Sequence, residues 1–445
     1  MQSSTDTTAD AGSVRRRGKL LRNRDFLRLW GSLTITHFGA QITSLALPLT
    51  AALILQASPF EMGVLIALEA LPFPLFGLFS GVMVDRWRKL PIIISADIGR
   101  GLVLLVVPAC AWLGWLNMPV LYAAGFLVGA GGVFGWPAYQ VFMTERVGRG
   151  NLVEANAKMA MSDSAAQLVG PGIAGALVHW LTAPFAILAD AIGFFCSALL
   201  LRGIAPAPSD APKHDGEHIW ADIREGLHAI WHNQTLRALA WALAVWQVFR
   251  HAFLAVVVLF ATRDLGFSAG RIGAVFMMAG IGSLAAAWAV KPLNRQFGVG
   301  PTMLGGLFGT GVAWVVIGLA RGPSLAASLV FGLGLFLLDL SAMVFFINYL
   351  VLRQSVAHDR LLGRVTATMI CLTTATAPLG GLTGGWIAQQ LGLRAAILLA
   401  GVGAILLTPV LAWLSPLARM RSLSQIGEDK RYPVAAYESV VKETV

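Results

Sequence analysis

The chain has 445 residues, of which 56% are hydrophobic and 13% charged, with 48 glycines and a mean hydropathy of +0.70. A soluble protein of this length carries about twice that charged fraction, so a soluble globular fold is excluded and an integral membrane protein is expected. The net charge of +10 fits the bias of basic residues toward the cytoplasmic side of membrane proteins and does not call for a nucleic-acid partner.

Residues 1–25 form a polar, cytoplasmic N-tail ending in the basic run Arg15, Arg16, Arg17, Lys19, Arg22 and Arg24, with Arg28 beyond it. The apolar stretch Leu29–Leu55 is too long for the core of a signal peptide and lacks a cleavage site, which predicts a retained helix. Further spans are predicted near 62–84, 92–116, 118–143, 159–181 and 183–201, then 238–262, 272–290, 299–320, 323–352, 365–391 and 395–418. Stretches this long and apolar cross a bilayer as helices, because in lipid each backbone polar group must be bonded within its own segment. The alternating polarity of a membrane β-barrel is missing. The expected fold is an all-α membrane protein of twelve transmembrane helices in two pseudo-symmetric six-helix bundles, 26–202 and 236–416.

Between the bundles, 203–235 reads as a cytoplasmic linker. It opens with APAPSDAPKHDG, after which Ile219, Ile223, Leu227 and Ile230 recur at helical spacing among Asp222, Arg224 and Glu225. That pattern predicts an amphipathic helix lying at the membrane interface. His214, His218, His228 and His232 crowd the same region without the carboxylate or cysteine partners of a known ligand spacing, so no metal is expected. Residues 417–445 form a second tail. Lys and Arg concentrate on the alternate loops that share a side with both tails, which places both termini in the cytoplasm of a bacterial-type inner membrane. Cys110, Cys196 and Cys371 fall inside apolar runs and read as small hydrophobes. An offset of 207 residues brings the halves into weak register, setting Gly170, Pro171, Gly172 and Gly175 against Pro378, Gly380 and Gly381.

The loop after the second span reads Gly81-Val-Met-Val-Asp85-Arg86-Trp-Arg88-Lys89, with Asp97 and Arg100 completing the spacing Asp-Arg-x(10)-Asp-x-x-Arg. It resembles the conserved loop of the major facilitator superfamily, and the full spacing resembles its drug:proton antiporter branch, the macrolide and siderophore (enterobactin) exporters. Trp136-Pro-Ala-Tyr-Gln140 and Leu152-Val-Glu-Ala-Asn156 are similar to the same branch, and Gly170-Pro-Gly-Ile-Ala-Gly175 resembles the Gly-Pro motif of antiporter members. The resemblance covers roughly residues 20–416 and departs from the usual loop pattern at Arg88 and Leu90. It implies the major facilitator fold and a loop that latches the two halves in the outward-open state through Asp85 and Arg86. Gly81 would permit close helix approach there, and Asp97 and Arg100 are expected in the same network. Gly170, Pro171, Gly172 and Gly175 are expected to let the fifth span bend, since a proline removes one backbone bond; simple packing of small residues between helices is the alternative.

Charge inside a membrane costs at least ~2.5–3.5 kcal/mol per group on insertion scales and marks function by default. The candidates are Glu69, Asp97, Arg100, Asp163, Asp190, Arg250 and Asp339. Asp190 lies ~10 Å from the outer surface, within reach of water. Arg250 and Asp339 lie at matching depths of ~18–20 Å on the seventh and tenth spans, and the resemblance sets spans one, four, seven and ten around a central cavity. Proton coupling is expected from Asp339 alternating between Arg250 and a proton, with Glu69 and Asp163 as secondary sites; a static ion pair is the alternative. Helical spacing puts Trp246, Phe249, Arg250 and Phe253 on one face, and Phe336, Asp339, Met343 and Phe346 on another. With His37, Gln41 and Ser44 on the first span and Trp136 and Gln140 on the fourth, they form the expected substrate cavity. Its aromatic and Met surfaces suit bulky lipophilic molecules.

Together with the resemblance, these residues imply secondary active export of a lipophilic small molecule, a drug, secondary metabolite or siderophore, by proton antiport with alternating access. The chain is expected to act as a monomer in the bilayer, without nucleic acid and with no cofactor beyond the proton gradient. The absence of any Gly-x-x-x-x-Gly-Lys-Ser/Thr run removes ATP as the energy source within the chain. An importer or lipid flippase of the same fold fits the same features. An intramembrane enzyme or sensor would need a nucleophile or metal constellation at one interface, which the sequence lacks.

Overall fold

The computed structural model describes residues 20–204, 219–357 and 361–420, without the side chains of 78, 82, 85, 149 and 219–223. Most of the expected tails 1–25 and 417–445 lie outside the described residues, as do 205–218 of the linker with His214 and His218. Among the described residues the regular structure is entirely helical.

The first half contains α1 (Arg24–Leu49), α2 (Pro59–Ala70), α3 (Pro72–Arg86), α4 (Lys89–Leu113), α5 (Met118–Val147), α6 (Leu152–Leu181) and α7 (Ala183–Arg202). After the short α8 (Ile219–His232) come α9 (Gln234–Leu259), α10 (Ala269–Phe297), α11 (Val299–Leu319), α12 (Leu325–Val356), α13 (Leu362–Thr374), α14 (Ala377–Leu391) and α15 (Leu393–Leu414). The second span is divided into α2 and α3 at Leu71, where Pro72 cannot donate a backbone bond. The eleventh is divided into α13 and α14 at Ala375 and Thr376, just before Pro378.

Among the described residues, eleven segments are long and apolar enough to cross a membrane. The fifth expected span falls outside that set although α6 runs for 30 residues; Glu154, Lys158, Asp163 and Gln167 make its first half polar, and glycines, Pro171 and His179 lower the hydropathy of the rest. The helical count therefore matches the twelve spans expected.

The two halves repeat in register. Asn23 caps α1 by accepting from the amides of Asp25 and Phe26, and Asn233 caps α9 by accepting from Thr235 and Leu236. Both helices run 26 residues and continue into a five-residue π-helical turn, Thr50–Ile54 and Phe260–Asp264. Gln234 stands 210 places after Arg24, and the same step separates the starts of α2 and α10, α4 and α11, α6 and α13, and α7 and α15. The expected offset of 207 is thus three residues short for these helices. The corrected register aligns Gly170 with Gly380. A Cβ at Gly170 would meet Gln41 of α1, and one at Gly380 would meet Val248 and His251 of α9, so each unit uses this glycine to bring the same two helices together.

The chain forms two compact units, residues up to 215 with 261–277, and 216–260 with 278 onward. Ala261–Met277, within the expected second bundle 236–416, is grouped with the first unit. Gly273 explains this: its Cα and that of Gly175 on α6 are so close that a Cβ on either would lie 2.8 Å from the other's Cα. In the first unit an apolar core of Phe26, Leu29, Leu33, Ile92, Ile93, Phe142 and Met143 fills the end at which α1 begins. At that end Arg146 pairs with Asp25, and Lys89 lies 3.6 Å from Glu145. The second unit is filled by aromatic pairs, Phe253 with Trp314 at 5.7 Å and Phe260 with Phe331 at 6.4 Å. Its outer face carries Trp288 and Trp413, each 86% exposed, an apolar surface that water does not favour and lipid does.

Candidate transport site

In the first unit the structure gathers residues that the sequence assigned to separate roles. His37 of α1 lies with Nδ1 3.3 Å from an Asp163 oxygen of α6, and Gln167 donates to the same carboxylate at 2.8 Å. The Trp136 ring of α5 is 6.2 Å from the His37 ring and stacks on Tyr139 at 6.4 Å. One turn away, Ser162 receives hydrogen bonds from Trp30 and Thr34, both at 2.9 Å. Trp136 is 48% exposed and Gln140 is exposed as well, so this wall of α1, α5 and α6 offers an aromatic ring, an imidazole and a carboxylate to accessible space. Ser162, Thr34 and Trp30 escaped the sequence reading; the four-residue spacing of Trp30 and Thr34 on α1 is a signal for those two, and Ser162 adjoins Asp163 on α6. Gln41 packs under Gly170.

Glu69 ends α2 against α5, with Gly125 facing its side chain and Gly129 its carbonyl. The glycine motif of α6 lies at close helix contacts. Gly170, Pro171, Gly172 and Gly175 lie within one uninterrupted helix, and a Cβ on these glycines would strike Gln41, Met277 and Gly273. Close packing is what the glycines of this cluster provide. Pro171 takes part through its carbonyl, which faces Gly273.

The expected latch is also redistributed. Gly81 has open space where its Cβ would be, so it makes no close helix approach in this structure. Arg86 is exposed, and the side chain of Asp85 lies outside the described residues. Asp97 and Arg100 are not at the loop. Asp97 stands eight residues into α4, ~12 Å along its axis, and accepts from Ser197 of α7 at 2.6 Å. The Arg100 guanidinium lies 4.2 Å from the Phe194 ring centre, also on α7.

In the second unit Arg250 of α9 sits with its guanidinium 5.7 Å from the Trp246 ring centre, and its charge and that of Asp339 on α12 act on one another. No ion pair joins them among the described residues. Trp246 is only 7% exposed and packs on Phe345 at 5.6 Å. Phe249 and Phe253 do not share its surroundings: Phe249 turns to Gly403 of α15, and Phe253 is buried against Trp314. On α12, Met343 packs beside Ala286 and Val290 of α10, Phe336 presents its carbonyl to Gly282, and Phe346 is exposed beside Tyr349. The expected aromatic face of α9 is therefore split among three neighbours.

Residues 29–375 match the family model of the Major Facilitator Superfamily. The chain belongs to that superfamily. It is a multi-pass membrane transporter of small molecules, not an enzyme. This transporter is 28% identical over 427 residues to the multidrug efflux pump Tap of Mycolicibacterium fortuitum, covering 92% of its own length and 98% of the pump. It is 26% identical to the MFS-type transporter y4rN of Sinorhizobium fredii, covering 79% and 85% of the two chains. Among solved structures, a bacterial homologue of the iron transporter ferroportin superposes with a TM-score of 0.69 at 17% identity, over 91% of this transporter and 99% of that chain. The nucleoside transporter NupG superposes with a TM-score of 0.70 at 11% identity, over 88% and 99%. At these identities the structural likeness concerns the fold.

Proposed function

We propose that this transporter exports lipophilic small molecules, drugs or secondary metabolites, by proton antiport with alternating access. The observation that carries the reading is the end-to-end similarity to an efflux pump, 98% of whose length is matched. The wall of His37, Trp136, Asp163 and Gln167 supports it, because an aromatic surface with one carboxylate suits an amphiphilic cation or weak base. The proton gradient is the energy source, with both termini in the cytoplasm and the monomer as the working unit.

In this reading Asp339 carries the exchanged proton and Arg250 is its alternate partner. Arg250 resting on Trp246 leaves the carboxyl of Asp339 free of a direct ion pair among the described residues, which suits a group that must gain and lose a proton. The test is uptake of a lipophilic fluorescent cation into inside-out vesicles on imposing an acid interior. Export predicts accumulation that collapses when the gradient is discharged, and that Asp339→Asn removes. Accumulation indifferent to the gradient would overturn the antiport; movement only in the opposite direction would make the protein an importer.

A further inference from the structure

The first unit holds a second group of ionisable residues that the wall above does not use. Asp190 of α7 is 1% exposed. One carboxylate oxygen accepts from Thr43 of α1, while the other is buried without a hydrogen-bond partner and faces the backbone of α1 at Gly39, where no side chain fits. Arg100 and Asp97 of α4 both act on its charge, and Tyr139 of α5 acts with Asp97 in turn. Arg100 makes no ion pair among the described residues and its Nε is buried and unpartnered, so its one positive charge is shared loosely between two carboxylates.

Packing does not require this arrangement. The 210-residue register shows how the second unit closes the same seam: Leu307 stands for Asp97, Thr310 for Arg100, Ala400 for Asp190 and Phe253 for Thr43, all buried. There the Thr310 hydroxyl is satisfied by the Leu307 carbonyl at 2.7 Å, and Phe253 packs on Trp314. The same fold thus seals this junction without charge. Two carboxylates, one guanidinium and an orphaned carboxylate oxygen leave a surplus negative charge inside the bundle, which is costly unless a cation neutralises it.

We propose that Asp190, with Asp97 and Arg100 beside it, is a proton-binding site inside the first bundle, separate from Asp339. A proton taken from water adds to the carboxylate and leaves as a proton, with no other bond made or broken. The neutral carboxyl can then donate to Thr43, and Arg100 is left to pair with Asp97. The site's part in coupling rests on the antiport reading; its occupancy by a proton does not.

Occupancy is read by pH-difference infrared spectroscopy of the purified, reconstituted transporter. The expected result is a protonated-carboxyl stretch that disappears in Asp190→Asn and in Asp190→Ala, and survives in Asp339→Asn. Asp190→Ala guards against misfolding, since it copies the residue at the matching position of the second unit. Persistence of the full band in both Asp190 variants would overturn the site. Coupling predicts that Asp190→Asn also lowers gradient-driven efflux at least about fivefold; loss of the band with efflux unchanged would overturn the coupling. Gradient-independent transport by the unaltered protein, with the band present, would instead refute the antiport reading alone.

Discussion

Asp163 of α6 stands 3.3 Å from His37 of α1, and this contact joins two residues 126 places apart in the sequence. The carboxylate is half exposed, and the His37 ring it contacts lies 6.2 Å from the Trp136 ring, so it is open to a bound cation. Asp163→Asn is expected to lower transport of a lipophilic cation about tenfold, equivalent to ~1.4 kcal/mol, and to leave a neutral substrate nearly unaffected. Parallel vesicle assays with one cationic and one neutral compound check this; equal losses for both would indicate a structural role.

Gly175 of α6 and Gly273 of α10 meet backbone to backbone, with 2.8 Å between each imagined Cβ and the opposing Cα. A side chain there forces the helices apart, and overpacking of this kind costs about 1–3 kcal/mol or more. Gly273→Leu should abolish transport while Gly270→Leu, whose added Cβ meets nothing within 4 Å, should retain it. Efflux rates and thermal melting of the two purified variants provide the comparison.

Thr182, between α6 and α7, has φ 69°, and Gly392, at the matching turn of the second unit, has φ 91°. Both backbones also have ψ near 160°, a combination that only glycine adopts without strain. Residues held there cost about 1–3 kcal/mol. Thr182→Gly should therefore raise the thermal midpoint and Gly392→Thr lower it. A fall in the midpoint for Thr182→Gly would contradict the strain.

The amphipathic helix α8 is docked on α13. Glu225 pairs with Arg364, Ile230 is buried, and Gly226 sits against the Arg364 carbonyl and the Thr368 hydroxyl. Leu227, expected on the apolar face that lies at the membrane interface, is 43% exposed, and Trp231 is 57% exposed. Gly226→Leu should detach α8 from α13, read as faster proteolysis within the linker, whereas Glu225→Gln should change little because exposed ion pairs contribute only about 0.2–1 kcal/mol.

At the end where α1 begins, Arg146 bridges to Asp25. Reversing one charge, Asp25→Arg, places two cations together and should reduce the folded yield; adding Arg146→Asp should restore most of it. Fluorescence-detected size exclusion of the single and double variants measures the rescue, whose absence would show that the pair contributes nothing beyond its separate side chains.

Much of this architecture was readable from the chain. Segment length and apolarity located the spans, since a membrane helix satisfies its own backbone and needs no partner to define its extent. The helix starts were less exact: the structure begins α1, α2 and α9 at Arg24, Pro59 and Gln234, a few residues before the apolar runs, where Asn23, Ser58 and Asn233 cap them. The ionisable residues of the interior could likewise be singled out, because so few charges appear within long apolar stretches.

What only tertiary structure decided is whom those residues face. Spacing along a helix assigns residues to a common side, but the rotation of that helix is set by its neighbours. Phe249 therefore turns to Gly403 although it adjoins Arg250, and Arg100 lies on Phe194 of α7 rather than at the loop it follows. His37 and Asp163 became one pair, and Asp190 an orphan, through contacts between helices 100 or more residues apart, where local pattern carries no information.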